Sequence, residues 1–160
     1  MRPLNIPFAL ENGFIHNWLV GGPQQIPLKP ELTRSKDYRQ KAVAAYHDPD
    51  SGIQQTPVER GPLTEGNFRV GEFTGSWNYY ACREDHFIDF SATLAQPSFV
   101  RSWAYTQVES KRAQDVQFIL YTFTPLDLWL NNQLIYTHTE FFDSQPARLV
   151  IKTPLNQGKN

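Results

Sequence analysis

The chain has 160 residues, with 15 Lys and Arg against 16 Asp and Glu and a formal net charge of −1; at this size one domain removes roughly 70% of its unfolded surface from water. The basic residues form no run, which argues against nucleic acid or an anionic membrane as a partner. Cys82 is the sole cysteine, which rules out an internal disulfide, argues against a Cys-based structural zinc site and suits a reducing compartment.

The opening MRPLNIPFALENG carries one Arg, breaks its apolar stretch at Pro3 and Pro7, and is followed by no small-residue cleavage site, so it reads as mature cytoplasmic sequence. No window approaches about 18 uninterrupted apolar residues, so no bilayer span is expected. With 4 Trp, 7 Tyr and 11 Phe and few long helical patterns, the composition points to an all-β domain.

Phe14 to Val20 alternates as a first strand, with Phe14, His16, Trp18 and Val20 on one face, and Gly21-Gly22-Pro23 is predicted to end it. The segment from Gly22 to Gly75 is long, polar and Pro-rich, too long for a plain connection. Inside it, Ser35 to Tyr46 predicts one helix, with Ser35 as N-cap and Tyr38, Ala42, Ala45 and Tyr46 at helical spacing. His47 to Gly52 reads as the turn that stops the helix, and Ile53 to Gly66 as surface loop. Phe68 to Phe73 and Trp77 to Cys82 are strand candidates separated by Thr74-Gly75-Ser76. The second runs into the charged cluster Arg83-Glu84-Asp85-His86.

Phe99 to Val108 alternates as a further strand. In Gln114 to His138 two β-rich runs flank Asn131-Asn132, a two-residue hairpin signal because Asn tolerates positive φ. A type I′ loop there pairs Leu130 with Gln133, Trp129 with Leu134, Leu128 with Ile135 and Asp127 with Tyr136. That register puts Leu126, Leu128, Leu130 and Ile135 on the core face and Asp127, Trp129, Leu134 and Tyr136 on the other; a bulge would mix the two sets. Ala147 to Lys152 reads as a last strand, and Leu155 to Asn160 as a turn leading towards another. The pattern predicts one antiparallel β-sandwich, a jelly roll, over residues 1–160, with one short helix in its long N-terminal insertion, as the N-terminal piece of a longer chain.

The order of NWLVGGP, VQFILYT, LDLWLNNQLIYTH and LVIKTPLNQGKN resembles the galactose-binding-like jelly-roll domains attached to bacterial glycoside hydrolases. Trp18 to Pro23 match the family's Trp-Leu-Val-x-Gly-Pro opening, Leu128 to Gln133 its hairpin, and Leu155, Gly158 and Asn160 its last turn. Asn132 stands where the family usually has Gly, and the stretch from Gly22 to Gly75 lies outside its pattern. The resemblance implies a non-catalytic accessory module that binds carbohydrate or props a catalytic domain. It carries over no catalytic residue and no cofactor; some relatives use calcium, which the sequence here does not indicate.

Sugar recognition needs an aromatic plane and planar hydrogen-bonding side chains, and Trp77, Tyr79, Tyr80, Arg83, Glu84 and His86 supply both within ten residues. The plainer reading is a strand of core aromatics entering a solvated turn. Glu84 and His86, two apart on a strand, would share a face and with His47 or His138 could ligate a metal, a weak signal without a close histidine pair. Glu84 with Asp85 or Asp89 could furnish a glycosidase acid and base, as any acidic turn could. Trp129, Leu134 and Tyr136 form a candidate interface with the remainder of the polypeptide, and Cys82 reads as a small buried hydrophobe. A purely structural module and a small metal-dependent jelly-roll enzyme are the competing readings.

Overall fold

The computed structural model describes residues 8, 10–48, 67–91 and 94–160. These are mainly antiparallel strands with two short helices; the predicted loop at Ile53–Gly66 and most of the turn after His47 lie outside the described residues. The chain divides into two compact units, one drawn from Met1–Pro27 and Glu59–Val108, the other from Leu28–Val58 and Glu109–Asn160.

In the first unit, β1 (Leu10–Glu11) and β2 (Phe14–Ile15) form a small hairpin around Asn12 and Gly13, at φ 52° and 85°, the Asn-Gly pair of a type I′ turn. A four-stranded antiparallel sheet follows, built from β3 (Asn17–Pro27), β4 (Asn67–Val70), β5 (Phe73–Ala81) and β6 (Ser98–Tyr105) in the order β4-β5-β3-β6.

Two predicted breaks are absent from this sheet. Gly21-Gly22-Pro23 does not end the first strand, because β3 continues to Pro27 and absorbs the triplet in a register shift against β6 between Gly21 and Gln24. Nor do Thr74-Gly75-Ser76 separate two strands. β5 runs through them, and the turn falls at Gly71-Glu72.

The glycines are there for packing. A Cβ on Gly21 would lie 2.5 Å from the Phe68 ring and one on Gly75 2.6 Å from it, so both strands leave room for that ring. Phe68 tilts against Trp77 at 4.8 Å between centroids, meets Trp103 edge-on at 5.0 Å and Phe73 at 6.0 Å. With Leu19, Val70 and Trp77 buried beside them, these rings form the unit's core on the face shared by Leu19, Gly21, Gly75 and Trp77.

The second unit holds α1 (Pro30–Thr33), α2 (Tyr38–Tyr46), β7 (Glu109–Ser110), β8 (Gln114–Thr122), β9 (Leu126–Leu130), β10 (Gln133–His138), β11 (Ala147–Leu155) and β12 (Gly158–Lys159), paired as β7-β12, β8-β11 and β9-β10. The sequence predicts one helix starting from Ser35; two are present. The N-cap of α2 is Asp37, whose carboxylate takes the Ser35 hydroxyl and Lys41 Nζ at 3.0 Å rather than capping a backbone N–H. Ala42 and Val43 are its buried residues, so the packed face is rotated away from the predicted Tyr38 and Ala45, which are exposed.

The β9-β10 turn forms as predicted, with Asn131 and Asn132 at φ 49° and 63°. Pairing matches the simple register at Gln133 with Leu130 and Leu134 with Trp129, then shifts at a bulge, so that Tyr136 faces Leu128, Thr137 faces Asp127 and His138 faces Leu126. Ile135 is the extra residue, so the predicted Leu128–Ile135 and Asp127–Tyr136 pairs do not form. Leu126, Leu128, Leu130 and Ile135 are all part-buried.

The β8-β11 ribbon pairs nine residues without a shift. Its inner face carries Phe118 and Leu120 opposite Ile151 and Leu149, with Ile151 and Leu155 buried. Past it, the predicted last turn is closed by Asn160. Its buried amide accepts from the Asn156 N–H (2.8 Å) and Asn131 Nδ2 (3.0 Å) and donates to the Asn156 and Gly158 carbonyls (both 3.0 Å). Gly158 and Lys159 thereby pair with Ser110 and Glu109, a strand the sequence reading did not assign.

Candidate functional site

The predicted sugar cluster in the first unit is divided by the pleat of β5. Trp77 is 2% exposed and packs under Phe68, where it offers no face to a ligand. Tyr79 shares its side of the sheet yet is 48% exposed, and its hydroxyl donates to Asn17 Oδ1 at 2.7 Å. Tyr80 points to the opposite face, opposite Trp18. Its hydroxyl is committed to the following turn, accepting from the Asp89 N–H at 3.1 Å and donating to the Phe87 carbonyl at 3.4 Å.

Arg83, Glu84, Asp85 and His86 are exposed in a turn closed by the His86 N–H on the Arg83 carbonyl at 3.0 Å. β5 has ended by then, so Glu84 and His86 are not strand neighbours and do not share a strand face as predicted. Asp85 accepts from the Phe87 N–H at 3.1 Å and Asp89 from the Ser91 N–H at 2.8 Å; the Ser91 hydroxyl and N–H hold the Asp89 carboxyl below its usual range. Both carboxylates thus order the turn. Among the described residues no group of three or more His, Cys, Asp or Glu is placed to hold a metal ion.

The turn does bring a histidine to one the strand pattern had placed elsewhere. His16, between β2 and β3, accepts the Cys82 N–H on its carbonyl at 2.9 Å, which extends the β3-β5 ladder by one bond. Its Nε2 lies 3.0 Å from His86 Nδ1. His86 sits at φ 60° with its ring stacked on Phe14 at 3.8 Å and 6°. Sequence spacing gave no sign of this pair, because 70 residues separate the partners.

In the second unit, His47 follows α2 and places Nε2 2.6 Å from Asp127 Oδ2, while the Thr137 hydroxyl donates to Asp127 Oδ1 at 2.8 Å. The bulge at Ile135 is what sets Thr137 opposite Asp127. His47 also lines an open depression of about 310 Å³ with Gln40, Val43, Ala44 and Thr139. A carboxylate that fixes an imidazole in this way is the orienting half of a general base, and it also ties the helix end to the hairpin.

The predicted interface residues separate as well. Trp129 and Leu134 remain opposed, with Leu134 exposed and Trp129 part-buried, whereas the bulge moves Tyr136 to the Leu128 face. A further apolar surface lies on the outer face of β8-β11. Ile119 (52% exposed) faces Val150 (43%), and beside them Tyr121 (47%) faces Arg148, while Gln117 faces Lys152 on the other side. The run FILY in β8, apolar at both strand phases, was the available signal for it.

The chain was compared with family models, curated proteins and solved structures, and none of the three gave a match.

Proposed function

We propose that the chain is a non-catalytic accessory module of a larger carbohydrate-active enzyme, of the galactose-binding-like jelly-roll type, and that it serves mainly as a support seated through the outer face of β8-β11. The observation that carries this is the contiguous exposure of Ile119, Val150 and Tyr121 on a ribbon whose other face is packed. An apolar patch rimmed by polar residues is the composition of a protein contact surface. Exposed Arg148 and Lys152 at its edge fit a partner surface with an apolar centre and an acidic rim. The natural occupant in this reading is the catalytic portion of the same polypeptide. A cytoplasmic setting suits the single buried thiol of Cys82.

Covalent footprinting tests the reading. Ile119, Tyr121 and Val150 are labelled in residues 1–160 alone and in the product of the complete reading frame, and the longer product should protect all three. Equal labelling in both, or a reading frame that ends at Asn160, overturns it.

Carbohydrate binding by the module itself is the second reading, favoured by one observation: Tyr79 presents an exposed ring whose hydroxyl is fixed by Asn17, the kind of plane on which a sugar's C–H face packs. Calorimetric titration with a sugar panel, with Tyr79→Ala as control, decides it. Trp77→Ala is not a usable control, since it empties the core.

A further inference from the structure

We propose that His16 and His86 form a two-histidine site for a late first-row divalent cation, Cu²⁺ or Ni²⁺, at an exposed corner of the first unit. This is independent of the supporting role proposed above.

The distance carries the argument. Two imidazole nitrogens bound to one cation at ~2.05 Å each, and 3.0 Å apart as His16 Nε2 and His86 Nδ1 are, subtend about 90–95° at it. That is the angle between adjacent positions of a square-planar or tetragonal centre, the geometry Cu²⁺ and Ni²⁺ favour with nitrogen ligands. The ordering of divalent affinities also places Cu²⁺ first for such a site.

The pair is held in place before any cation arrives. The Cys82 N–H on the His16 carbonyl fixes one backbone (2.9 Å) and the turn bond from His86 to Arg83 fixes the other (3.0 Å). Phe14 lies flat against the His86 ring and the two imidazoles stand at 88° to each other, which limits the orientations the His86 ring can take. In the hydrogen bond between the two rings one N–H lies between the nitrogens. A cation binds beside the line joining the nitrogens; the proton passes through solvent to the other nitrogen of its own ring, so both imidazoles ligate as neutral groups, and water completes the coordination from the exposed side. Two protein ligands give a site of modest affinity open to exogenous ligands.

Calorimetric titration of the whole chain with CuCl₂ in a weakly chelating buffer, and separately with NiCl₂, tests the proposal beside electron paramagnetic resonance of the Cu²⁺ form. The wild type should bind one cation and show two imidazole nitrogens coupled to copper. His16→Gln and His86→Asn should each weaken binding at least tenfold and leave one coupled nitrogen; Asn is chosen at 86 because it tolerates positive φ. His138→Gln should bind as the wild type does. Unchanged tryptophan emission and melting would show each variant folded. Equal affinity in His16→Gln and wild type, a two-nitrogen signal that survives His16→Gln, or no binding up to millimolar copper would overturn the assignment.

Discussion

Replacing Gly21 by Ala tests whether the glycines of β3 and β5 serve packing or chain reversal. The added methyl would stand 2.5 Å from Phe68 Cε1 and 2.8 Å from Cζ, and the ring cannot slide away freely because Trp77, Trp103 and Phe73 lie on three sides of it. Overpacking of this kind costs about 1–3 kcal/mol, or roughly 2–4 °C in Tm per kcal/mol for a chain this size. In a Phe68→Ala background the obstacle is gone. Gly21 has no positive φ, so there the same methyl should stabilise by about 0.4–1 kcal/mol through the unfolded chain. The sign of the effect therefore reverses, and the double-mutant cycle should give a coupling of about 1.4–4 kcal/mol. Urea unfolding in a Trp129→Phe background is the assay, because the remaining Trp18, Trp77 and Trp103 all lie in the first unit. A Gly21→Ala cost that is the same with and without the Phe68 ring would refute the packing argument.

Asp127→Ala removes the acceptor of both His47 and Thr137 and should destabilise the second unit by about 1–3 kcal/mol, read from the emission of the adjacent Trp129; a loss below 0.5 kcal/mol or so would mean the exposed side of the pair is already met by water. Deleting Ile135 should straighten β10 while keeping Thr137 opposite Asp127, at a cost under about 2 kcal/mol for the lost side chain; wholesale unfolding of the hairpin would show that the bulge is not at this residue. Burial pushes the Cys82 thiol up, against a smaller downward pull from Trp18. The folded chain therefore keeps a proton that the unfolded chain loses: stability is full below the thiol's ordinary pKa and declines as pH rises through the raised value. Urea midpoints measured from neutral pH upward should show that decline and Cys82→Ala should flatten it; an identical slope in the variant would assign it to other groups.

What local chemistry decides, the sequence displayed. Asn131-Asn132 turns where two residues tolerant of positive φ stand between apolar runs, and the same chemistry turns the chain at Asn12-Gly13. What packing decides is not legible in local composition. Gly21-Gly22-Pro23 and Thr74-Gly75-Ser76 look like turns because small residues are the usual currency of turns, yet two of their glycines are small because Phe68 crosses them. A lone glycine inside an alternating strand is the signature of that close approach, and the alternation of β5 on both sides of Gly75 was the clue.

The candidate sites follow the same division. The pleat of β5 puts Trp77 and Tyr79 on one face and Tyr80 on the other, but alternation carries no information about which stretch of a face is covered. Trp77 meets the Phe68 ring and is buried, while Tyr79, two residues further along the same strand, is not. The bulge at Ile135 is a single unpaired residue with no compositional mark, and through it Thr137 rather than Tyr136 reaches Asp127. The pair His16 and His86 lies at the end of that sequence of causes. It requires β3 and β5 to be neighbours, the ladder to extend to Cys82, and a turn that carries His86 back at positive φ. Each condition depends on the one before it, so a site whose members lie 70 residues apart became visible only once the sheet order was known.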